Sequence, residues 1–323
     1  MRGPCASSIA VFSSRESPDV LLRSVEAAWL AAVPGSVLDV IVNGNRELAE
    51  ECSQVFPSAL KAMPAGVDLR LWFIACADKA HAWNTYLHQI WPGSELAFFV
   101  DGYARLRPNS CSILAQALQM RPEIPAASGT PSSGWGAAKM RAQMLSEGGI
   151  HGNFYALRAR ALNTLRDRGF RLPLGLYRTD PALAAVLKFR LDPARYEWDD
   201  HQVYIDPDAS WDVDSRPWWR LSVLRGQYQR RLRQYQGVFE NRALRDHLAR
   251  QKRAPEEVPE TVSELIRGWG KDNPDELYRV TRSFLARRAW ERGVEARDWS
   301  DKDIPPALIL ECGGAGKLPF SGS

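Results

Sequence analysis

Through the first third of the chain, short apolar runs alternate with stretches whose apolar side chains recur every three or four positions. The runs are residues 8–13, 38–42, 67–74 and 96–101, rich in Val, Ile, Leu and Phe. A run of this length bounded by breakers reads as a strand buried on both faces, as in a parallel sheet. Helix patterns lie between them. Ser17-Pro18-Asp19 offers a cap, a proline for the first helical position and an acid at the positive end of the dipole. Val20, Leu21, Val25, Ala28, Trp29 and Ala32 then share one side, and Pro34-Gly35 stops the helix. A second helix is predicted over about 46–55, and Asp78 is placed to cap a third carrying Trp83, Leu87, Ile90 and Trp91. Such alternation predicts right-handed βαβ units and an α/β fold on a parallel sheet.

After a further helix over 109–119 the alternation fades. Residues 125–136 are rich in Gly, Ser and Pro and read as a long loop. Residues 151–157 read as a strand feeding a short basic helix, and 172–181 as a loop entering a helix with Ala182, Leu183, Val186 and Leu187. From Arg216 to Arg253 eleven Arg and Lys side chains face only Glu240 and Asp246. The pattern therefore divides into an α/β domain over 1–215 and a helical, Arg-rich region over 216–323, frayed from Gly313 on.

Composition narrows the class. Charged residues at 25% and hydrophobic ones at 45% are ordinary for a soluble globular protein. With no apolar run of bilayer length and no signal-peptide pattern, a cytoplasmic protein is expected. Cys5, Cys52, Cys76, Cys111 and Cys312 are dispersed without a Cys-x-x-Cys pair, which favours reduced thiols over a disulfide frame or zinc site. No Gly-x-Gly-x-x-Gly follows the first strand, and no Gly-Lys-Ser/Thr loop occurs, so the common dinucleotide and P-loop motifs are missing.

Asp101 ends the most apolar run and Gly102 follows it. In open α/β sheets ligands gather at the carboxyl ends of strands, which puts Asp101 at a crevice; the plainer reading is an Asp-Gly turn. Asp180, before Pro181, reads equally as a helix N-cap or as an exposed carboxylate facing substrate.

Four segments come in a fixed order: a strand ending at Ser13, then Asp39-Val40-Ile41-Val42-Asn43-Gly44, then Asp78-Lys79-Ala80-His81-Ala82-Trp83-Asn84, then Phe99-Val100-Asp101-Gly102. This series resembles the nucleotide-sugar half of inverting family 2 glycosyltransferases with the GT-A fold. The resemblance spans roughly residues 7–240. It implies a Rossmann-like, mostly parallel mixed sheet flanked by helices, with a donor half over about 7–110 and an acceptor half over about 120–215.

Lys79, Ala82 and Asn84 match the family's Lys/Arg-x-x-Ala-x-Asn segment. Asp101 matches the first acid of its Asp-x-Asp, which contacts the nucleotide, while Tyr103 stands where the second binds a divalent cation. Asn43 takes the place of an acidic pair that reads the nucleoside. His151 to Arg158 resembles the acceptor-side strand, and Thr179-Asp180-Pro181-Ala182-Leu183 resembles Glu-Asp-x-x-Leu, whose Asp is the catalytic base. Arg233 is the strict match to a Gln-x-x-Arg-Trp segment.

The resemblance implies Asp180 as base, with Ser13, Arg15, Asn43, Lys79, Asn84, Asp101, Arg230 and Arg233 at the donor. His151, Asn153 and Trp198 would meet the acceptor, the last among a group that includes Trp211, Trp218 and Trp219. Mg or Mn, on Asp101 and His201, is the implied cofactor, and Tyr103 bears on whether it is used; arginines and Lys79 are the alternative cations for the diphosphate. The implied partners are a nucleoside diphosphate sugar and a glycan or lipid-linked acceptor of cell-surface polysaccharide synthesis. Peripheral contact with the inner face of an anionic membrane is compatible with that acceptor. Nucleic acid is not the expected partner. Two other readings stand beside this one. The first is a nucleotidyltransferase, whose Gly-rich, Arg-containing loop after the first strand is missing. The second is a degenerate GT-A-like protein that binds nucleic acid or anionic membrane through its basic helix.

Overall fold

The computed structural model describes residues 5–134, 136–214 and 221–313, apart from the side chains of residues 62, 221–227 and 230. Four apolar runs form the parallel strands β1 (Ser7–Ser13), β2 (Ser36–Asn43), β3 (Val67–Ile74) and β4 (Leu96–Asp101). Helices α1 (Pro18–Ala31), α2 (Arg46–Ala59) and α3 (Lys79–Thr85) fill the crossovers. Ser17 and Asp78 stand at the caps as expected, with Pro18 at the first helical position and the Asp78 side chain accepting from the His81 N–H. After α3 the chain makes one widened turn over Tyr86–Ile90.

Five more strands complete the sheet: β5 (Ala104–Leu106), β6 (Ala126–Pro131), β7 (Tyr155–Arg158), β8 (Val203–Val213) and β9 (Ala307–Cys312). The order across it is β5-β8-β6-β7-β4-β1-β2-β3-β9. Six of the nine strands, β1–β4, β6 and β8, run the same way, so the sheet is mixed and mostly parallel. Alternate residues of β1 feed two cores. Ile9 and Val11 pack with α1, α2 and α4 (Ser110–Gln119), whereas Ala10 and Phe12 pack with α3, α6 (Ala159–Asp167) and α7 (Thr179–Lys188).

Three expectations need correction. Residues 125–136 are not one long loop: β6 runs through them, buried along its whole length between β7 and β8, and α5 (Ala137–Glu147) begins just beyond. The strand expected over 151–157 starts only at Tyr155. The region after 216 is helical in α8 (Leu221–Arg245), α9 (Val262–Asp272), α10 (Pro274–Val280) and α11 (Phe284–Val294). It then returns as β9, antiparallel to the β3 edge. Among the described residues no helix is long and apolar enough to cross a membrane.

Candidate active site

Parallel pairing of β1 with β4 sets Phe12 against Asp101, so both strands end side by side. The Gly102 N–H donates to the Phe12 carbonyl at 2.7 Å. A Cβ at this glycine would lie 2.8 Å from that of Ser13, so only glycine lets the two strand ends close. Asp101 then turns its carboxylate into the crevice, where the Lys79 ammonium donates to Oδ1 at 2.6 Å and the Tyr103 hydroxyl to Oδ2 at 3.1 Å. Lys79 opens α3 immediately after its cap, which aims the side chain along the strand ends.

The same ammonium lies 3.6 Å from Oδ1 of Asp180. Asp180 sits in the first turn of α7, whose N-cap is Arg178, so it does not cap the helix. The Thr179 hydroxyl donates to its Oδ1 at 3.0 Å. Its Oδ2 receives no hydrogen bond from the described residues and rests on Gly152, where a Cβ would come within 2.4 Å of it. One carboxylate from the end of β4 and one from the first turn of α7 thus share a single lysine.

Electrostatics act on Lys79, Tyr103 and His151 around these carboxylates. Burial works against charge on Lys79, but Asp101 and Asp180 outweigh it and push its pKa well up, so the ammonium stays protonated. Burial and the Asp101 charge raise Tyr103 well above the usual phenol range, which makes it a neutral donor. His151 is pulled below its ordinary pKa chiefly by burial, against the upward pull of Asp180 and Asp101. Tyr155 and Trp83 floor the crevice, the indole donating to the phenol at 3.0 Å and Tyr155 stacking on Phe99 at 4.7 Å.

The loop that delivers Asp180 is held by buried polar side chains from elsewhere. Asn84 accepts the Leu172 N–H at 2.8 Å and donates to the Leu172 carbonyl at 2.9 Å. Oδ2 of Asp78 takes the Gly175 N–H at 3.0 Å. Leu174 exchanges backbone bonds with Glu260 and Val262 at 2.8 and 2.9 Å. Glu240 of α8 receives the Tyr177 N–H at 3.1 Å and the Arg178 N–H at 3.2 Å. Burial pushes the Glu240 carboxyl up to about 7, against these N–H donors and Gln236. Sequence reasoning missed Glu240 and this second bond of Asp78.

The remaining expected residues divide. Ser13 ends β1 and Arg15 lies on the loop after it, Ser13 donating to Glu16 at 2.7 Å and Arg15 exposed. His151 stacks on buried Trp211 at 4.9 Å, and its Nδ1 accepts the Asn153 N–H at 3.2 Å. The buried Oδ1 of Asn153 has no partner among the described residues. The Arg233 guanidinium lies 5.7 Å from the Tyr177 ring, over the Asp180 loop. The side chain of Arg230 and all of Trp218 and Trp219 lie outside the described residues.

Four expectations are corrected. Asn84 is buried, and both ends of its amide are used on Leu172, so it braces the loop rather than the donor. Asn43 is also buried; in the amide orientation that satisfies both ends it donates to the Ser13 carbonyl at 3.0 Å and accepts the Asp78 N–H at 3.2 Å, tying strand end to cap. Trp198 and His201 belong to another corner. Asp200 there holds Lys188 at 2.6 Å and the Trp198 indole at 2.9 Å. Lys188 ends the helix that Asp180 opens, about 12 Å along the axis at ~1.5 Å per residue. The described contacts of His201 and Trp198 include Asp199, Asp200 and Lys188 but neither Asp101 nor Asp180.

The metal implied by the resemblance does not fit these residues. Asp101 is already ion-paired to Lys79 and accepts the Tyr103 hydroxyl, and that neutral phenol, in place of a second carboxylate, is a poor ligand for a hard cation. Among the described residues no group of three or more His, Cys, Asp or Glu side chains could hold a metal. An open groove of about 640 Å³ lies away from this chemistry, between α8 and the start of α10, where Arg242 pairs with Glu276 and Arg250 with Asp246.

No family model matches the chain, and no curated protein matches its sequence. Among solved structures it is similar to the mannosyltransferase PcManGT from Pyrobaculum calidifontis in complex with GDP-Man and Mn2+. The TM-score is 0.53 at 15% identity, over 92% of this chain and 77% of that one. A second similar structure is S. aureus TarS 1-349, with TM-score 0.46 at 12% identity, over 89% of each chain. The likeness to PcManGT establishes the fold: this chain has a GT-A-like α/β architecture.

Proposed function

We propose that the chain is an inverting glycosyltransferase that moves a sugar from a nucleoside diphosphate sugar to a hydroxyl of a glycan or lipid-linked acceptor. One observation carries this reading: Lys79 joins Asp101, at the end of β4, to Asp180, in the first turn of α7. Two motifs far apart in sequence thereby meet at one point of a GT-A-like sheet.

The chemistry follows from that point. The acceptor hydroxyl must lose its proton as it attacks, which calls for a carboxylate within hydrogen-bond reach. Asp180 offers Oδ2, which no described residue occupies. The anomeric carbon passes through an oxocarbenium-like state, as in glycoside hydrolysis. Attack opposite the leaving group inverts that carbon. The departing diphosphate gathers negative charge, which fixed cations in the crevice stabilise without reorganising. Lys79 stands at that pole, with Arg15 on the loop after β1 and Arg233 over the Asp180 loop. A mannosyltransferase of similar fold bound to GDP-Man supports a nucleotide-sugar donor for this chain.

The test is Asp180→Asn. Release of nucleoside diphosphate from a panel of nucleotide sugars, with hydroxyl acceptors, should fall roughly 10²–10⁴-fold, the range for a lost general base. Binding of the free diphosphate should be retained. An Asp180→Asn chain that transfers at the wild-type rate sinks the assignment.

A further inference from the structure

We infer that this site handles its diphosphate without a divalent cation, the Lys79 ammonium standing where such a cation would act; the inference rests on the glycosyltransferase reading. The position is already filled by charge. Lys79 lies 2.6 Å from Asp101 and 3.6 Å from Asp180, in ion-pair contact with the two carboxylates that meet here among the described residues. A metal ion bound to Asp101 would have to break that ion pair and then sit beside the displaced ammonium. Repulsion between neighbouring like charges in a partly buried crevice is several-fold stronger than in water.

The second acidic position gives the ion nothing in return. Tyr103 is a neutral hydroxyl, and it already donates to the other Asp101 oxygen at 3.1 Å. A hard cation at such a site relies on one or two carboxylates besides the phosphates, and the strand end here offers at most one, Asp101, which is already ion-paired to Lys79.

Lys79 can do the work itself. An ammonium carries three N–H donors. One reaches Asp101 at hydrogen-bond distance, whereas Asp180 at 3.6 Å lies beyond a good hydrogen bond. At least one donor is left for a phosphate oxygen, and the side chain is about one-third exposed, at 36%, so its tip meets the crevice. Held by two carboxylates, it is a fixed positive charge, already oriented when the leaving group departs.

The experiment is calorimetric titration of UDP, GDP, ADP, CDP and dTDP into the full chain, once with EDTA and once with Mn2+. At least one diphosphate should bind with EDTA, and Mn2+ should change its Kd less than about twofold. Lys79→Met should weaken that binding tenfold or more in both buffers, with Lys79→Arg recovering most of it. Tyr103→Asp, which restores an acid at the second position, should make binding respond to Mn2+. Diphosphate binding that requires Mn2+ in the wild type overturns the inference and leaves the glycosyltransferase reading standing. So does a folded Lys79→Met chain that binds like wild type in EDTA. Binding of no diphosphate in either buffer overturns the glycosyltransferase reading and this inference with it.

Discussion

At Gly152 a single missing methyl group fixes where Asp180, the proposed base, stands. A Cβ there would lie 2.4 Å from Oδ2 and 2.8 Å from Cγ of Asp180, too close for the carboxylate to stay put. Gly152→Ala should therefore push Asp180 away from Lys79 and the acceptor. A displacement near 1 Å costs about 10²-fold in rate when reacting groups must be aligned. Steady-state transfer assays should show that loss, with diphosphate affinity changed little. A Gly152→Ala enzyme of normal rate would detach Asp180 from catalysis. The residues at this point were partly legible in the sequence. Asp101 ends an apolar run, and Lys79 and Asp180 fall in ordered motifs. Glu240 was not legible, because one acid in a basic helix reads as a solvated charge. Its bonds to Tyr177 and Arg178 span more than sixty positions. Asn43 and Asn84 misled for a related reason. They stand at motif positions, yet their amides close onto backbone that the sequence does not reveal as neighbouring.

Among the elements, β2 and β3 carry a pair unusual for sheet interiors. Asp39 faces Arg70 in register and is fully buried; the guanidinium donates to both its oxygens, at 2.7 and 2.9 Å, and the Trp72 indole adds a third bond at 2.9 Å. Burial raises the Asp39 pKa despite these partners, so the carboxylate depends on them. Arg70→Met leaves the charge unpaired and should cost about 3–5 kcal/mol in chemical denaturation. With Asp39 then holding its proton more tightly when folded than when unfolded, the loss should grow as pH rises from acid to neutral. Adding Asp39→Leu to Arg70→Met should recover most of it; a double variant as weak as the single would refute this account. The strands around that pair were easy to read because continuous Val, Ile, Leu and Phe runs have few other uses. The second half of the sheet hid itself. β6 is built from Ala, Ser, Gly, Thr and Pro, a loop-like composition that suits a strand squeezed between two neighbours. β8 is interrupted by Asp206, Pro207 and Asp208 near a break in its register with β6. β9 is an edge strand whose pattern says nothing of its partner, far back at β3.

For the molecule as a whole, the region after residue 216 is not an appendage. It adds β9 to one edge of the sheet, and through Glu240 and the Glu260–Val262 backbone it grips the loop that presents Asp180. Glu240 makes that grip sensitive to pH. Both its oxygens accept hydrogen bonds, so a proton on either one displaces an N–H of Tyr177 or Arg178, or the Gln236 amide. With the carboxyl pushed up to about 7, the loop should loosen as pH falls through neutrality. Transfer should then show an acid limb near pH 7. In Glu240→Gln, where an amide NH₂ faces N–H donors, the rate should be about tenfold lower, since misplacement of catalytic groups costs up to 10²-fold, and flat across that range. Stability should move the other way. The folded-state pKa lies above the ordinary 4.5, so this group's contribution is full below pH 4.5 and is lost as pH rises through about 7. Across that window the loss amounts to roughly 3 kcal/mol at ~1.4 kcal/mol per pKa unit. The stability of wild type relative to Glu240→Gln should therefore fall by roughly 3 kcal/mol as pH rises from 5 to 8, while its rate relative to the variant rises. Rates and midpoints that rise and fall together would mean that Glu240 stabilises the fold without tuning the base. Opposite slopes would mean that this protein gives up stability at neutral pH to keep Asp180 in position.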